Sequence, residues 1–245
     1  MLARAEGIVI KTVDYGEGNK IITLFTEKYG KITLMARGAK KTKSRLSSVS
    51  QLFSYSDYTF FLTKSMGTLK SGDIIQSFTK IQQDIIKTAY AAYLVELTDK
   101  MIEKHEPIPF LYQQLLSALK QIDEGKDSEI ITRIYELKIL EISGYRPVLN
   151  HCVLCDAHDH LKRFSVIHGG LICDHHPNES SVVLQEGTIK LLRLFEDIDI
   201  RRIGNIHVKE STKSQMQFLM RSFIEHHAGI QLKSQHFLDQ IKQFE

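Results

Sequence analysis

The chain lacks any run of 18 or more apolar residues, which a helix would need to cross a bilayer. Its first residues, Met1–Glu6, carry a single cation and no apolar core, so we expect no secretory signal and a cytoplasmic location. Three cysteines in 245 residues are too few for a small disulfide-stapled fold. A composition of 42% hydrophobic and 25% charged residues also excludes a wholly disordered or collagen-like chain.

Several motifs of catalysis and nucleotide binding are missing as well. The sequence contains no GxxxxGK[ST], no GxGxxG and no HExxH. The HxE element of the zinc deaminases is absent too. These absences argue against an ATPase, a motor or a dinucleotide-dependent enzyme, and we expect the protein not to be an enzyme.

The charges are distributed unevenly along the chain. Residues 1–80 carry 13 Lys+Arg against 6 Asp+Glu, a net charge of +7, whereas residues 81–245 carry a net charge of −4. A basic first third followed by a mildly acidic remainder indicates that the first third meets a polyanion.

Apolar residues alternate with polar ones through the first third, in short runs separated by turn residues. The predicted strands are Glu6–Val13, Lys20–Thr26, Lys31–Arg37, Gln51–Leu62 and Asp73–Phe78. About five strands in about 80 residues favour a five-stranded β-barrel of the OB type over a two-sheet sandwich.

The apolar period changes from two to 3.6 near residue 82, which is typical of helices. The predicted helices are Gln82–Ile102, Phe110–Ile122, Asp127–Ser143, Gln185–Ile198, Val208–Ile230 and Ser234–Phe244. The sequence thus predicts an α+β protein with an OB-fold domain at 1–80 and a mostly helical domain at 81–245.

All three cysteines lie in an irregular stretch at about 148–178, inserted among the helices. Cys152-x2-Cys155 is followed by Cys173-x2-His176, so two short knuckles offer three thiolates and one imidazole. This spacing is typical of a structural zinc site, which has four ligands and no open position for water. Three buried cysteines without a metal are the alternative, which we consider weaker. His176 completes the spacing, although the neighbouring His175 could replace it.

A second cluster is basic and lies between two predicted strands. Five cations without an acid occur within nine residues: Arg37, Lys40, Lys41, Lys43 and Arg45. Such a density of charge favours phosphate binding with counterion release, and we expect a mobile loop. The aromatic residues of Gln51–Leu62 lie close by in sequence. Most of them are expected in the core; two could be exposed for stacking on bases, and alternation alone does not identify which.

The order of these parts resembles the RecO family of bacterial DNA-repair proteins. The resemblance runs the length of the chain, and each local match is weak alone whereas the ordered set is specific. The closest matches are Gly7–Val9, Thr23–Thr26 with Tyr29–Gly30, Ala36–Ala39, Glu136–Leu137, Gly144–Pro147, Cys152–Cys155 and Gly169–Cys173. Where this chain has His176, members of the family that bind zinc usually have cysteine.

The resemblance implies a non-enzymatic mediator of DNA repair and recombination, associated with the nucleoid. Proteins of this family bind single- and double-stranded DNA, anneal complementary strands coated by single-stranded-DNA-binding protein (SSB), and help to load RecA together with RecR. Their helical region docks the acidic tail of SSB. In this chain Arg133 and Lys138, on the predicted helix Asp127–Ser143, are the candidate contacts for that tail.

Two other functions remain open at this level. The same parts are compatible with an RNA-binding or ribosome-associated protein built from an OB fold and a zinc ribbon. An unrecognised metalloenzyme is the third alternative, and metal-dependent turnover would distinguish it.

Overall fold

The structure is a computed structural model that describes residues 1–176 and 180–242. The last residues of two predicted segments, 177–178 of the metal-binding insertion and 243–244 of the final helix, lie outside the described residues. None of the described helices combines the length and hydropathy needed to cross a membrane.

The N-terminal segment forms a closed five-stranded barrel. Its strands are β1 (Leu2–Tyr15), β2 (Asn19–Thr26), β3 (Gly30–Ala36), β4 (Tyr55–Phe61) and β5 (Gly67–Gln76). Their order around the barrel is β1-β2-β3-β5-β4. β3 and β5 run parallel, and the other pairs are antiparallel. The predicted OB-type barrel is therefore confirmed.

The period-two alternation of the sequence fills the barrel. Ile22 and Leu24 of β2 and Ile32 and Leu34 of β3 are fully buried in its core. Since successive side chains of a strand point to opposite faces, their neighbours point outward. On this outer face Phe25 packs edge-on against Tyr112, with ring centroids 5.7 Å apart.

Strand β5 begins six residues before the predicted Asp73. The added residues include Gly67 and Gly72, which lie outside the predicted strand. Gly72 is needed where it lies, because a Cβ there would come within 3.1 Å of the Tyr58 ring and 3.2 Å of the Val49 Cβ. Close packing inside the barrel thus accounts for a glycine in a paired strand.

Helices and a small sheet follow the barrel. The helices are α1 (Thr79–Gln83), α2 (Ile85–Met101), α3 (Pro109–Glu124), α4 (Ser128–Ile142), α5 (Glu186–Asp197), α6 (Glu210–Phe223) and α7 (Lys233–Lys242). A three-stranded sheet of order β7-β6-β8 lies between α4 and α5 in the sequence. Its strands are β6 (Leu161–Ser165), β7 (Gly170–Cys173) and β8 (Ser181–Val183).

The first predicted helix is two helices, divided at Asp84. Asp84 has an extended backbone, and its carboxylate accepts hydrogen bonds from the N–H groups of Ile86 and Lys87. This is the geometry of an N-cap, so Asp84 starts α2 rather than continuing α1. The apolar period runs across the division, which explains why the sequence predicts one helix.

The chain folds as two compact units. One comprises Met1–Gly125 together with α7, and the other comprises Lys126–Gln231. The first contains the barrel, and the second contains the cysteine cluster. The predicted domain boundary near residue 80, where strands give way to helices, stays a prediction.

Candidate metal centre and nucleic-acid interface

Two turns bring the four predicted metal ligands together. Cys152 and Cys155 lie in the turn that precedes β6, and Cys173 and His176 lie at the end of β7 and just after it. One ligand atom of each lies within 4.8 Å of the others. Nδ1 of His175 is 3.8 Å from Sγ of Cys173, but the cluster is completed by His176.

The spacing within this cluster fits a tetrahedral zinc ion. With Zn–S bonds of about 2.3 Å, two thiolates of a tetrahedron lie about 3.8 Å apart. The Sγ atoms of Cys155 and Cys173 are 3.7 Å apart. Three thiols and one imidazole are also the donor set of Cys3His structural sites. The cluster can therefore hold a metal ion, and its donors are those that zinc prefers.

Backbone dipoles prepare Cys152 for a cation. Burial alone would disfavour its thiolate, but the N–H groups of Cys173, Leu154 and Cys155 favour it and lower the pKa of Cys152 to about 7. The Ala157 N–H favours the Cys155 thiolate, yet loss of solvent and the neighbouring thiols outweigh it and raise the pKa of Cys155. Three thiolates this close repel one another, so full ionisation calls for a cation.

A close backbone approach holds the two knuckles side by side. The Val148 N–H donates to the Gly169 carbonyl, and the Leu171 N–H donates to the Val148 carbonyl, at 2.9 and 2.8 Å. The Val153 N–H then donates to the Leu171 carbonyl at 2.9 Å. A Cβ on Gly170 would lie 2.6 Å from the Val148 Cβ. Gly169 and Gly170 therefore mark the place where one knuckle packs against the other.

The other histidines of this region lie outside the ligand set. Rings of His151 and His158 are 5.8 Å apart, and Nδ1 of His158 lies 3.1 Å from the Asn150 carbonyl oxygen. His158, His160 and His168 are exposed. These three histidines are therefore surface residues.

The five predicted phosphate-binding cations all lie exposed on the turns that follow β3. They are Arg37, Lys40, Lys41, Lys43 and Arg45. We call residues 37–45 the basic segment. It is a series of hydrogen-bonded turns, since the Lys41 N–H donates to the Gly38 carbonyl and the Ser44 N–H to the Lys41 carbonyl. Its mobility stays a prediction.

The β1–β2 hairpin fixes this segment, a role that the sequence analysis missed. The Asn19 side-chain oxygen accepts from the Gly38 N–H at 2.8 Å, and the Gly18 carbonyl accepts from the Lys40 N–H at 3.1 Å. Asp14 pairs with the Lys40 ammonium at 2.8 Å, and that contact lowers the pKa of Asp14. No local pattern links residues 14–19 to 38–40, because the pairing of β2 with β3 brings them together.

Most of the nearby aromatic residues are in the core, as expected. Phe53, Tyr55, Tyr58 and Phe60 are buried, and Phe61 is 46% exposed. The Tyr58 hydroxyl donates to the Val49 carbonyl at 2.8 Å, which anchors it inside the barrel. Within this stretch only Phe61 therefore offers a free ring face.

The structure disagrees with the two candidate SSB contacts on α4. Arg133 is 2% exposed and pairs with Glu136 at 2.9 Å inside its unit. Lys138 is 4% exposed and donates to the Glu196 carbonyl, and burial lowers its pKa. Neither side chain meets solvent, so neither is placed to receive a peptide tail. Helix α4 is buried along nearly its whole length. The isolated cations in its sequence gave no indication of this burial.

Comparison with known proteins covers almost the whole chain. Residues 1–78 match the family described as recombination protein O N terminal, and residues 82–236 match recombination protein O C terminal. Proteins named DNA repair protein RecO from Bacillus cereus (strain AH187) and Bacillus anthracis (strain CDC 684 / NRRL 3495) are each 42% identical over 247 residues. In both cases the alignment covers 100% of this chain and 100% of the relative.

Proposed function

Since the chain belongs to the RecO family of DNA repair proteins, we propose that it is a non-enzymatic mediator of recombinational repair. In this role it binds single- and double-stranded DNA at the nucleoid and anneals complementary strands coated by SSB. The observation that carries the proposal is the basic segment, whose five exposed cations are held on a closed OB-type barrel.

Annealing brings two polyanions together, and their repulsion must be offset. Arg37, Lys41, Lys43 and Arg45 have no ion-pair partner among residues 1–176 and 180–242. They are therefore available to phosphates, and each phosphate contact releases condensed counterions. This gain needs no nucleotide hydrolysis, which agrees with the absence of a phosphate-binding motif from the sequence.

The metal centre has a structural role in this proposal. Zinc held by Cys152, Cys155, Cys173 and His176 has all four positions filled, so it leaves none for a reacting water. It links the turn before β6 to the end of β7. The structure of these turns should therefore depend on the metal more strongly than the structure of the barrel does.

The partners follow from the family. We propose that the chain acts with RecR to help load RecA, and that it recognises the acidic tail of SSB. The tail carries carboxylates, so its contacts need cations at the surface. Arg133 and Lys138 are buried and do not meet that requirement, so cations that are exposed elsewhere on the chain must bind the tail.

The test is a strand-annealing assay with complementary oligonucleotides coated by SSB, without nucleotide. The variant R37Q/K41Q/K43Q/R45Q should anneal much more slowly than the parent. The control K64Q/K70Q/K80Q/K104Q removes the same charge from exposed sites elsewhere in the same unit and should anneal nearly normally. An equal loss of annealing rate in both variants would show that the effect comes from net charge and not from the basic segment. Preference for structured RNA over single-stranded DNA, or a requirement for ATP, would contradict the proposal.

A further inference from the structure

Part of the outer barrel surface is apolar and at least partly exposed. In the strand register Val13 lies opposite Ile21, and Ile21 lies opposite Met35. Residues opposite one another on neighbouring strands point to the same face. The adjacent Ile22 and Leu34 fill the barrel interior, so Val13, Ile21 and Met35 form a row on the outside.

An exposed tyrosine extends this row. Tyr15 is two residues beyond Val13 on β1 and so shares its face; it is 54% exposed, and Val13 is 48% exposed. We call Val13, Tyr15, Ile21 and Met35 the hairpin face. Toward the other end of β2 the same surface is closed, because Phe25 is buried against Tyr112 of α3.

The basic segment is attached to the same hairpin. Asn19 lies opposite Tyr15 in the strand register, so the two side chains share the outer face, and the Asn19 side-chain oxygen accepts from the Gly38 N–H at 2.8 Å. A nucleic-acid backbone neutralised by the basic segment therefore runs beside the hairpin face. Its bases then have an apolar surface and one aromatic ring within reach.

We propose that the hairpin face binds the bases of single-stranded DNA, with Tyr15 as the residue on which a base stacks. The inference rests on the proposed function and names the strand state that this surface selects. Stacking on a side chain needs a free base face, which a single strand offers. In a duplex the bases cover one another, so duplex DNA meets only the cations. The face thus distinguishes single strands from duplex, whereas the basic segment binds both.

A second exposed apolar pair provides the control. Leu2 of β1 lies opposite Phe61 of β4, and these residues are 53% and 46% exposed. The neighbouring outward cation on β1, Arg4, is already paired with Asp57. This patch therefore has an aromatic ring beside a cation that a carboxylate already neutralises.

The absence of tryptophan from the chain permits a direct test. Y15W and F61W each place one tryptophan on one of the two patches. Titration with oligothymidylate should quench the fluorescence of Y15W and leave that of F61W nearly unchanged. An unchanged Y15W signal at saturating oligothymidylate, or equal quenching of both variants, would overturn the assignment.

Affinities give a second measurement that does not depend on tryptophan. Y15A should bind oligothymidylate about tenfold more weakly, with an unchanged salt slope, because a stacked base releases no counterion. Its affinity for duplex DNA should not change, and Y15F should bind like the parent. Equal affinity of Y15A and the parent for oligothymidylate would contradict this inference but not the proposed function. Failure of the parent protein to bind DNA would contradict both the inference and the proposed function.

Discussion

The Sγ atoms of Cys155 and Cys173 lie 3.7 Å apart although the residues are 18 positions apart in sequence. That separation is close to one edge of a zinc tetrahedron, about 3.8 Å for Zn–S bonds of about 2.3 Å. Hydrogen bonds between residues 148–153 and 169–171 hold it. The thiols are therefore arranged by the backbone around a point that suits a cation.

We expect one tightly held zinc per chain. Metal analysis of purified protein should give close to one equivalent, and Cys173→Ser should lose most of it because a buried ligand disappears. Chelation should speed amide exchange in residues 148–176 far more than in the barrel, since metal binding is coupled to local folding. Well under one equivalent in the parent protein would contradict the assignment. His176→Cys should retain the metal, and His175→Ala should leave its content unchanged.

Gly170→Ala should destabilise the metal-binding unit by about 1–3 kcal/mol, because the new Cβ would overlap with Val148. Thermal unfolding and zinc retention would measure the effect. Gly187→Ala is the matched control, since nothing lies within 4 Å of a Cβ there and alanine is the better helix former. A Gly170→Ala protein as stable as the Gly187→Ala protein would show that the close approach is unimportant.

Neutralising the basic segment should change the salt dependence of DNA binding. If about three of its cations reach phosphates, R37Q/K41Q/K43Q/R45Q should lower the slope of log affinity against log salt by roughly two units on single strands. The loss should be alike for all base sequences, because phosphate contacts carry no sequence information. Fluorescence anisotropy over a salt series measures both. An unchanged slope would place the phosphate contacts elsewhere.

Arg133→Ala should act on stability and not on SSB recognition. Removing Arg133 takes away the counter-charge of the buried Glu136 carboxylate, at a cost of about 3 kcal/mol. Arg133→Met with Glu136→Leu should recover much of the loss, because it removes both charges. Chemical denaturation gives the stabilities. A stable Arg133→Ala protein with weakened binding of an SSB-tail peptide would restore the original hypothesis.

The attachment of α7 should depend on pH through Glu96. Its carboxylate accepts from the N–H groups of Lys233 and Ser234 at 3.1 and 2.8 Å. Burial alone would raise the pKa of Glu96, but these hydrogen bonds outweigh it and hold the pKa below the ordinary 4.5. The stabilisation is therefore present above 4.5 and lost as the pH falls through the lowered value. Protection of the amides of residues 233–242, measured against their intrinsic exchange rates at each pH, should fall in acid, and Glu96→Gln should remove that pH dependence.

The sequence alone determined those features that depend on local pattern. Alternation with period two predicted the barrel, because adjacent side chains of a strand face opposite sides whatever the strand pairs with. The two Cys/His knuckles predicted the ligand set, because each pair lies within one turn. The residues of the basic segment were likewise visible, since a run of cations without acids needs no tertiary context.

Other features were decided by contacts between distant segments. Gly72 lies outside the strand predicted from sequence, and only the Tyr58 ring packed against it explains its place in β5. Asp84 lies within a continuous apolar period, and only its hydrogen bonds to the next turn show that a helix starts there.

The tertiary structure also decided which polar and aromatic groups meet solvent. Arg133 lies on a helix whose apolar pattern is compatible with an exposed cation, yet packing buries it beside Glu136. Tyr15 lies outside the predicted strands, and its position beside the basic segment depends on Asn19, which lies opposite it and accepts from the Gly38 N–H 19 positions away in sequence. Local pattern sets how a segment folds, but exposure depends on what packs against it, which only the assembled chain determines.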